Sequence, residues 1–190
     1  MMLDGWMDRL LAGGARRALL LVSIQLHPLL SGSPPAGSAE AAVALLLMPD
    51  SLAHQHGVAR LANLHRPVRG MADTAQEALS NALRWGRAAV GQIGGAWQTG
   101  LDTTQAGALQ QVATRTGTTI ESTELDRTVG HAGGAAAWLA VACGAASLTA
   151  SAAPQLVMVG QGASVDCAVL KRPGAARGAA AVDIPRRESR

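Results

Sequence analysis

Gly130-His131-Ala132-Gly133-Gly134-Ala135-Ala136 opens the run of small side chains that decides how this sequence folds. Residues 128–165 carry no formal charge, and residues 132–153 are almost all Ala, Gly, Ser or Thr, with Trp138, Leu139, Val141 and Leu148 as the large apolar groups. Small side chains partition weakly into hydrocarbon, and the run lacks an aromatic belt and flanking cations at both ends, so a membrane span is not the expectation. The same composition suits a helix closely packed by protein on every side. The sequence therefore predicts a buried helix over residues 130–150.

Working outward, residues 155–159 and 164–170 are apolar runs of strand length around Gly160-Gln161-Gly162-Ala163, a hairpin by spacing. Upstream lie a β-branched strand at 118–123, a helix at 102–114 and a short strand at 89–93 that leads into Gly94-Gly95. Before these, Asp73 is placed to cap a helix running to about Arg87, with Ala75, Leu79, Leu83 and Ala88 on one face. Residues 49–70 are polar and irregular, with a short strand at 58–64. Residues 18–24 and 41–48 are continuous apolar runs, as in strands buried on both faces, and the Pro-rich stretch 27–37 between them is a loop. Leu3, Trp6, Met7, Leu10 and Leu11 recur at helical spacing and stop at Gly13-Gly14. Alternating helices and strands predict an α/β layered domain: a mixed, largely parallel sheet with helices on both faces. There is no internal repeat.

The 190 residues suffice for one domain with a real core. With 48% hydrophobic and 15% charged residues the chain as a whole is not disordered, and its 22 Gly and 8 Pro follow no period. Phe and Tyr are absent, so the core must come from Ala, Leu and Val. Lys171 is the single lysine against fifteen arginines, which reads as codon bias of a GC-rich genome. The net charge of +3 is local: residues 171–190 hold six basic and two acidic side chains, leaving about −1 for the rest. This gives a domain over 1–172 and a disordered basic tail over 173–190. A nucleic-acid surface needs basic residues clustered on a folded face, with aromatics for single strands, so no nucleic-acid partner is expected. Cys143 and Cys167 are too few for a disulfide framework, and Asp4, Asp8 and Arg9 spoil a signal-peptide core; reduced thiols and a cytoplasmic location follow.

Among the residues able to carry chemistry, His54, His56 and His65 lie in a polar stretch where His-x-His on a strand would share a face. Zinc wants three or four ligands with supporting carboxylates, and only Asp50 is near, so no metal is expected. His27 ends an apolar run and reads as a loop contact. His131 stands at the start of the small-residue helix, where the helix terminus favours a neutral imidazole able to donate to a developing oxyanion. The alternative is a buried histidine satisfying a backbone carbonyl. No G-x-S-x-G elbow, dinucleotide fingerprint or P-loop occurs, so no cofactor is expected.

The order of these motifs resembles the C-terminal half of the thiolase-like fold, and within it a β-ketoacyl synthase. Helix 3–13 and strand 18–24 look like the end of the nucleophile helix and the strand that follows it. Ser38-Ala39-Glu40-Ala41-Ala42-Val43 resembles the GEGA strand start. Gly94-Gly95-Ala96-Trp97-Gln98 stands where the family has HGTGT, and Gly100-Leu101-Asp102-Thr103-Thr104-Gln105 resembles the LGD helix entry. Residues 130–136 match GHxxGAA, and Gly160-Gln161-Gly162-Ala163-Ser164 resembles the GFGGT hairpin, with 166–170 as its closing strand.

The resemblance implies an acyltransferase ancestry with most of the catalytic set replaced. The nucleophile position would precede residue 1, the first HGTGT histidine falls on Gly94, the lysine before GHxxGAA falls on Asp126, and the gatekeeper Phe falls on Gln161. His131 alone is retained, and one histidine cannot supply both a nucleophile and the charge stabilisation of a condensation. Neither Cys143 nor Cys167 sits near an elbow. The implied function is a non-catalytic scaffold, adaptor or partner subunit, for instance an accessory in a bacterial gene cluster such as type VI secretion. Its expected partners are a second copy, another thiolase-like subunit, an acyl carrier protein or a secretion component. The alternative is an enzyme half that gives His131 to a shared acyl-transfer site. A third reading, from Met1-Met2 in mid-helix, is a misplaced start or a decaying gene.

Overall fold

Two strand pairs and one helix set the architecture. Leu19–Gln25 (β1) and Ala41–Leu47 (β2) alternate side chains across their faces and pair antiparallel, Leu21 opposite Leu45 and Ser23 opposite Val43. Gln155–Gln161 (β7) and Ser164–Lys171 (β8) form the antiparallel hairpin at the centre of a second sheet. Between the two sheets runs α5, Ala136–Ala150, entered through a 3-10 turn at Gly133–Ala135. The computed structural model describes residues 17–28 and 32–174; the expected helix at 3–11 and most of the expected tail lie outside them.

The larger sheet has six strands in the order β3 (Asn63–Leu64), β8, β7, β5 (Gly95–Thr99) and β6 (Ser122–Glu124), with β4 (Val68–Met71) also on β8. β5 is parallel to β6 and β7, and β3, β4 and β7 are antiparallel to β8. The sheet is thus mixed, its parallel part confined to one half. One face, with Leu156, Met158, Val165, Cys167 and Val169, packs on α2 (Ala75–Trp85) and α3 (Thr103–Arg115). The other, with Val157, Val159 and Leu170, packs on Ala140, Val141 and Leu148 of α5. Helices therefore cover both faces, as expected for this class.

The small-residue run is a core helix. Gly144 lets α5 approach the sheet, since a Cβ there would lie 2.7 Å from Leu170 Cδ1. Its opposite side takes Leu45 and Ala41 of β2. By length and composition residues 133–150 could cross a membrane, but here they are layered between two sheets.

Other expectations need correction. β1 and β2 are not buried on both faces: Leu20, Val22 and Ile24 are 64%, 57% and 58% exposed, and Leu46 is 56% exposed. Asp73 does not cap α2; a 3-10 turn at Ala72–Thr74 intervenes, and the Thr74 hydroxyl accepts the Met71 N–H. The strand expected at 89–93 is a 3-10 turn at Val90–Gln92, and the strand starts at Gly95. Only Asn63–Leu64 and Ser122–Glu124 remain of the strands expected at 58–64 and 118–123. A short helix α1 (Asp50–Gln55), strand β4 and a single turn α4 (Leu125–Thr128) fill stretches read as irregular.

Candidate functional site

The site is built where α4 hands over to α5. Gly130 has φ +93, and a Cβ there would meet Ala39 Cβ and the Gly37 and Ser38 carbonyl oxygens, each at 3.1 Å, so only glycine fits. This close approach lets the His131 N–H donate to Gly37 O at 2.7 Å and the His131 carbonyl accept from Ala39 N at 3.0 Å. Further along, Ser23 Oγ donates to the Gly134 carbonyl at 3.0 Å and Gln25 Oε1 accepts the Gly134 N–H at 3.3 Å. The β1–β2 pair therefore clamps the backbone on which His131 stands.

The imidazole is held from the other side by the larger sheet. Asp126 Oδ1 lies 3.1 Å from His131 Nδ1 and accepts the Thr99 hydroxyl at 2.8 Å, while Oδ2 accepts the Gly100 N–H at 2.5 Å. Burial works to raise the Asp126 carboxyl; the Gly100 N–H, then His131 and Thr99, outweigh it and leave the group below its ordinary value. An ionised carboxylate can only accept, so Nδ1 of His131 must carry the proton. In the neutral ring Nε2 is then an acceptor. With this tautomer Nε2 donates only once the ring is protonated. Its side chain is 57% exposed.

A rigid floor lies under this pair. Gly100, at φ +64, lies against Gly160 backbone to backbone, and a Cβ on Gly100 would be 2.7 Å from the Gly160 carbonyl oxygen. Asp102 caps α3 by accepting from Gln105 N at 2.8 Å, and the fully buried Gln105 returns Oε1 to Asp102 N at 3.0 Å. Its Nε2 donates to the carbonyls of Gly162 and Ser164, at 3.0 and 3.2 Å, which ties the β7–β8 turn to α3.

The remaining candidates lie elsewhere. Gly94 precedes β5 and donates its N–H to Pro154 O at 2.8 Å, at the far end of the strand from Thr99. The residue that meets the site at this strand's end is Thr99, which sequence reading passed over. Asp126 was noted only as a replaced lysine; its spacing of five before His131, across a Gly turn, was the available signal. His54 and His56 are exposed on α1 and its cap, not on a strand. His65 hydrogen-bonds through its backbone to Val169 O, and burial, then Lys171 and Arg87, hold its ring below the ordinary histidine value. His27 takes Glu40 Oε1 on its backbone N–H, and its buried Nε2 has no hydrogen-bond partner among the described residues. Among the described residues no three His, Cys, Asp or Glu side chains gather. Cys167 is wholly buried, with its thiol pushed up to about 12 by burial and the Asp166 charge, and burial also raises Cys143.

No family model matches the chain, and neither does any curated protein. Solved structures do. The chain superposes on a ketosynthase domain of oxazolomycin assembly from Streptomyces albus with a TM-score of 0.70 at 16% identity, covering 90% of this chain and 61% of that one. It matches a type II ketosynthase in complex with its acyl-carrier protein (TM-score 0.67, 12% identity, 89% and 55%). It also matches the ishigamide ketosynthase/chain length factor (0.65, 18%, 91% and 54%). At such identity the likeness is one of fold: a mixed α/β, ketosynthase-like arrangement. The chain spans little more than half the length of these structures.

Proposed function

We propose that this chain is a non-catalytic, β-ketoacyl synthase-like partner subunit whose β1–β2 sheet is covered by a second thiolase-like polypeptide. The outer face of that sheet carries the reading. The cross-strand pairs Leu20–Leu46, Val22–Ala44 and Ile24–Ala42 all point outward, every member is apolar and every one is exposed. A sheet face of six apolar side chains without one charge belongs under another layer. The replaced positions support the non-catalytic half of the reading: Gly94 and Asp126 stand where the resemblance puts a histidine and a lysine, and both thiols are held protonated. An acyl carrier protein or a component of a bacterial secretion cluster is the further partner to look for, in a cytoplasmic setting.

The test is the mass of the purified chain in solution, by light scattering, beside a Val22→Asp/Ile24→Asp variant. An assembly heavier than 19.3 kDa that the variant reduces to monomer supports the reading. A monomer unaffected by the variant overturns a second copy of this chain as the cover of that face. Condensing activity of the chain alone overturns the non-catalytic part.

One observation favours a second reading. With Nδ1 on Asp126, Nε2 is the basic nitrogen of a ring that is 57% exposed, so the chain could supply this imidazole to an acyl-transfer site completed by its partner. In that case His131→Ala lowers the activity of the reconstituted complex by about 100-fold or more, and unchanged activity rejects it.

A further inference from the structure

The molecule has a cavity whose lining does not include His131. It has a volume of about 550 Å³, inside the range of roughly 300–1,000 Å³ usual for small-ligand sites. Leu45 and Leu47 of β2, Leu64 of β3, Val141 and Ala145 of α5 and Leu170 of β8 form much of its wall. The polar side chains on its lining are Asp50, Arg60 and Asn63. Arg60 Nη1 lies 2.6 Å from Asp50 Oδ1; the Arg60 side chain is 21% exposed and that of Asp50 70%.

This asymmetry says what the cavity takes. The Arg60 side chain belongs to the lining and is mostly buried, whereas its carboxylate partner sits largely in water, where an ion pair contributes little. An incoming anionic head can replace Asp50 on a planar, always charged donor, and an apolar tail then fills the leucine-lined space. We infer that the cavity between β2 and α5 binds a small amphiphilic monocarboxylate, its head on Arg60 and its tail against Val141, Ala145 and Leu170. This inference does not rest on the proposed partner function.

Calorimetric titration of the full chain with sodium decanoate, below its micelle concentration, and with decan-1-ol tests it. Decanoate should bind saturably at one site per chain. Arg60→Gln should weaken decanoate about tenfold and leave decan-1-ol unchanged. Asp50→Asn, which removes the competing carboxylate, should tighten decanoate severalfold. Ala145→Phe fills the cavity and should abolish both ligands; Arg60→Gln decides the question if that variant does not fold. Absence of decanoate binding overturns the inference, as does equal loss of both ligands in Arg60→Gln. Binding that survives Ala145→Phe in a folded protein, or disappears in Val22→Asp/Ile24→Asp, places the probe on the outer β1–β2 face and also overturns it.

Discussion

Gly160 and Gly100 touch through their main chains, so that a side chain on Gly160 would overlap the Gly100 carbonyl oxygen. Neither partner is a flexible side-chain end, and Gly100 is already fixed at φ +64 with its N–H on Asp126. Gly160→Ala should therefore cost about 3 kcal/mol or more, because only backbone movement relieves the overlap. Gly134→Ala, where a Cβ meets nothing within 4 Å, should stay within about 0.5 kcal/mol of wild type. Urea denaturation of the two variants is the check. Equal costs would mean that the Gly100–Gly160 contact is not tight.

Asp126 ties the end of β5, through Thr99 and Gly100, to His131. Asp126→Asn keeps the shape and removes the charge, and should cost about 1–2 kcal/mol at pH 7. The sign with pH follows from the lowered carboxyl value. A depressed folded value contributes stability above the ordinary 3.8, and that contribution is lost as pH falls through the folded value. The gap between wild type and Asp126→Asn should therefore be full at pH 5–7 and close below about 3.8. A gap that persists unchanged to pH 2 would show that charge is not what Asp126 contributes.

These two contacts mark where sequence reading succeeded and stopped. The β7–β8 hairpin and α5 were legible because burial on both sides forces long apolar or small-residue runs around a Gly turn. β5 was misplaced because its last residues, Gln98 and Thr99, look polar although both are buried, and because Gly94-Gly95 reads as a break. β4 was missed since Arg69 and Gly70 spoil the alternation; their reasons, Asp166 and the close approach of Ala78, are tertiary. His131 could be singled out from its glycines. Asp126 and Thr99 could not be joined to it, because nothing local brings the end of β5 to a turn after β6.

The thiols offer a direct check of accessibility. Burial holds Cys167 at about 12 and raises Cys143, which is only partly covered, and the attacking species is the thiolate. At about pH 8, Ellman's reagent should modify Cys143 slowly in the native chain and leave Cys167 untouched. In denaturant both should react at once. Fast native modification of either cysteine would contradict this packing and restore a thiol as a candidate nucleophile.

Arg69 and Asp166 pair across β4 and β8, directly opposite in the register. Nε and Nη2 of Arg69 meet Oδ1 and Oδ2 of Asp166 at 2.9 and 2.8 Å, a bidentate geometry, and the carboxylate is almost wholly buried whereas the guanidinium is not. Nη2 also donates to Gln161 Oε1 at 3.1 Å at the end of the hairpin. Removing the cation takes the bidentate partner from a buried carboxylate, so Arg69→Met should cost about 1–3 kcal/mol. Replacing both partners by apolar residues of similar size, Arg69→Met with Asp166→Leu, should recover most of that loss. A double-mutant cycle by chemical denaturation reads the coupling. If Arg69→Met costs less than about 1 kcal/mol, the pair behaves as an exposed one, and β4 is held to β8 by its backbone ladder alone.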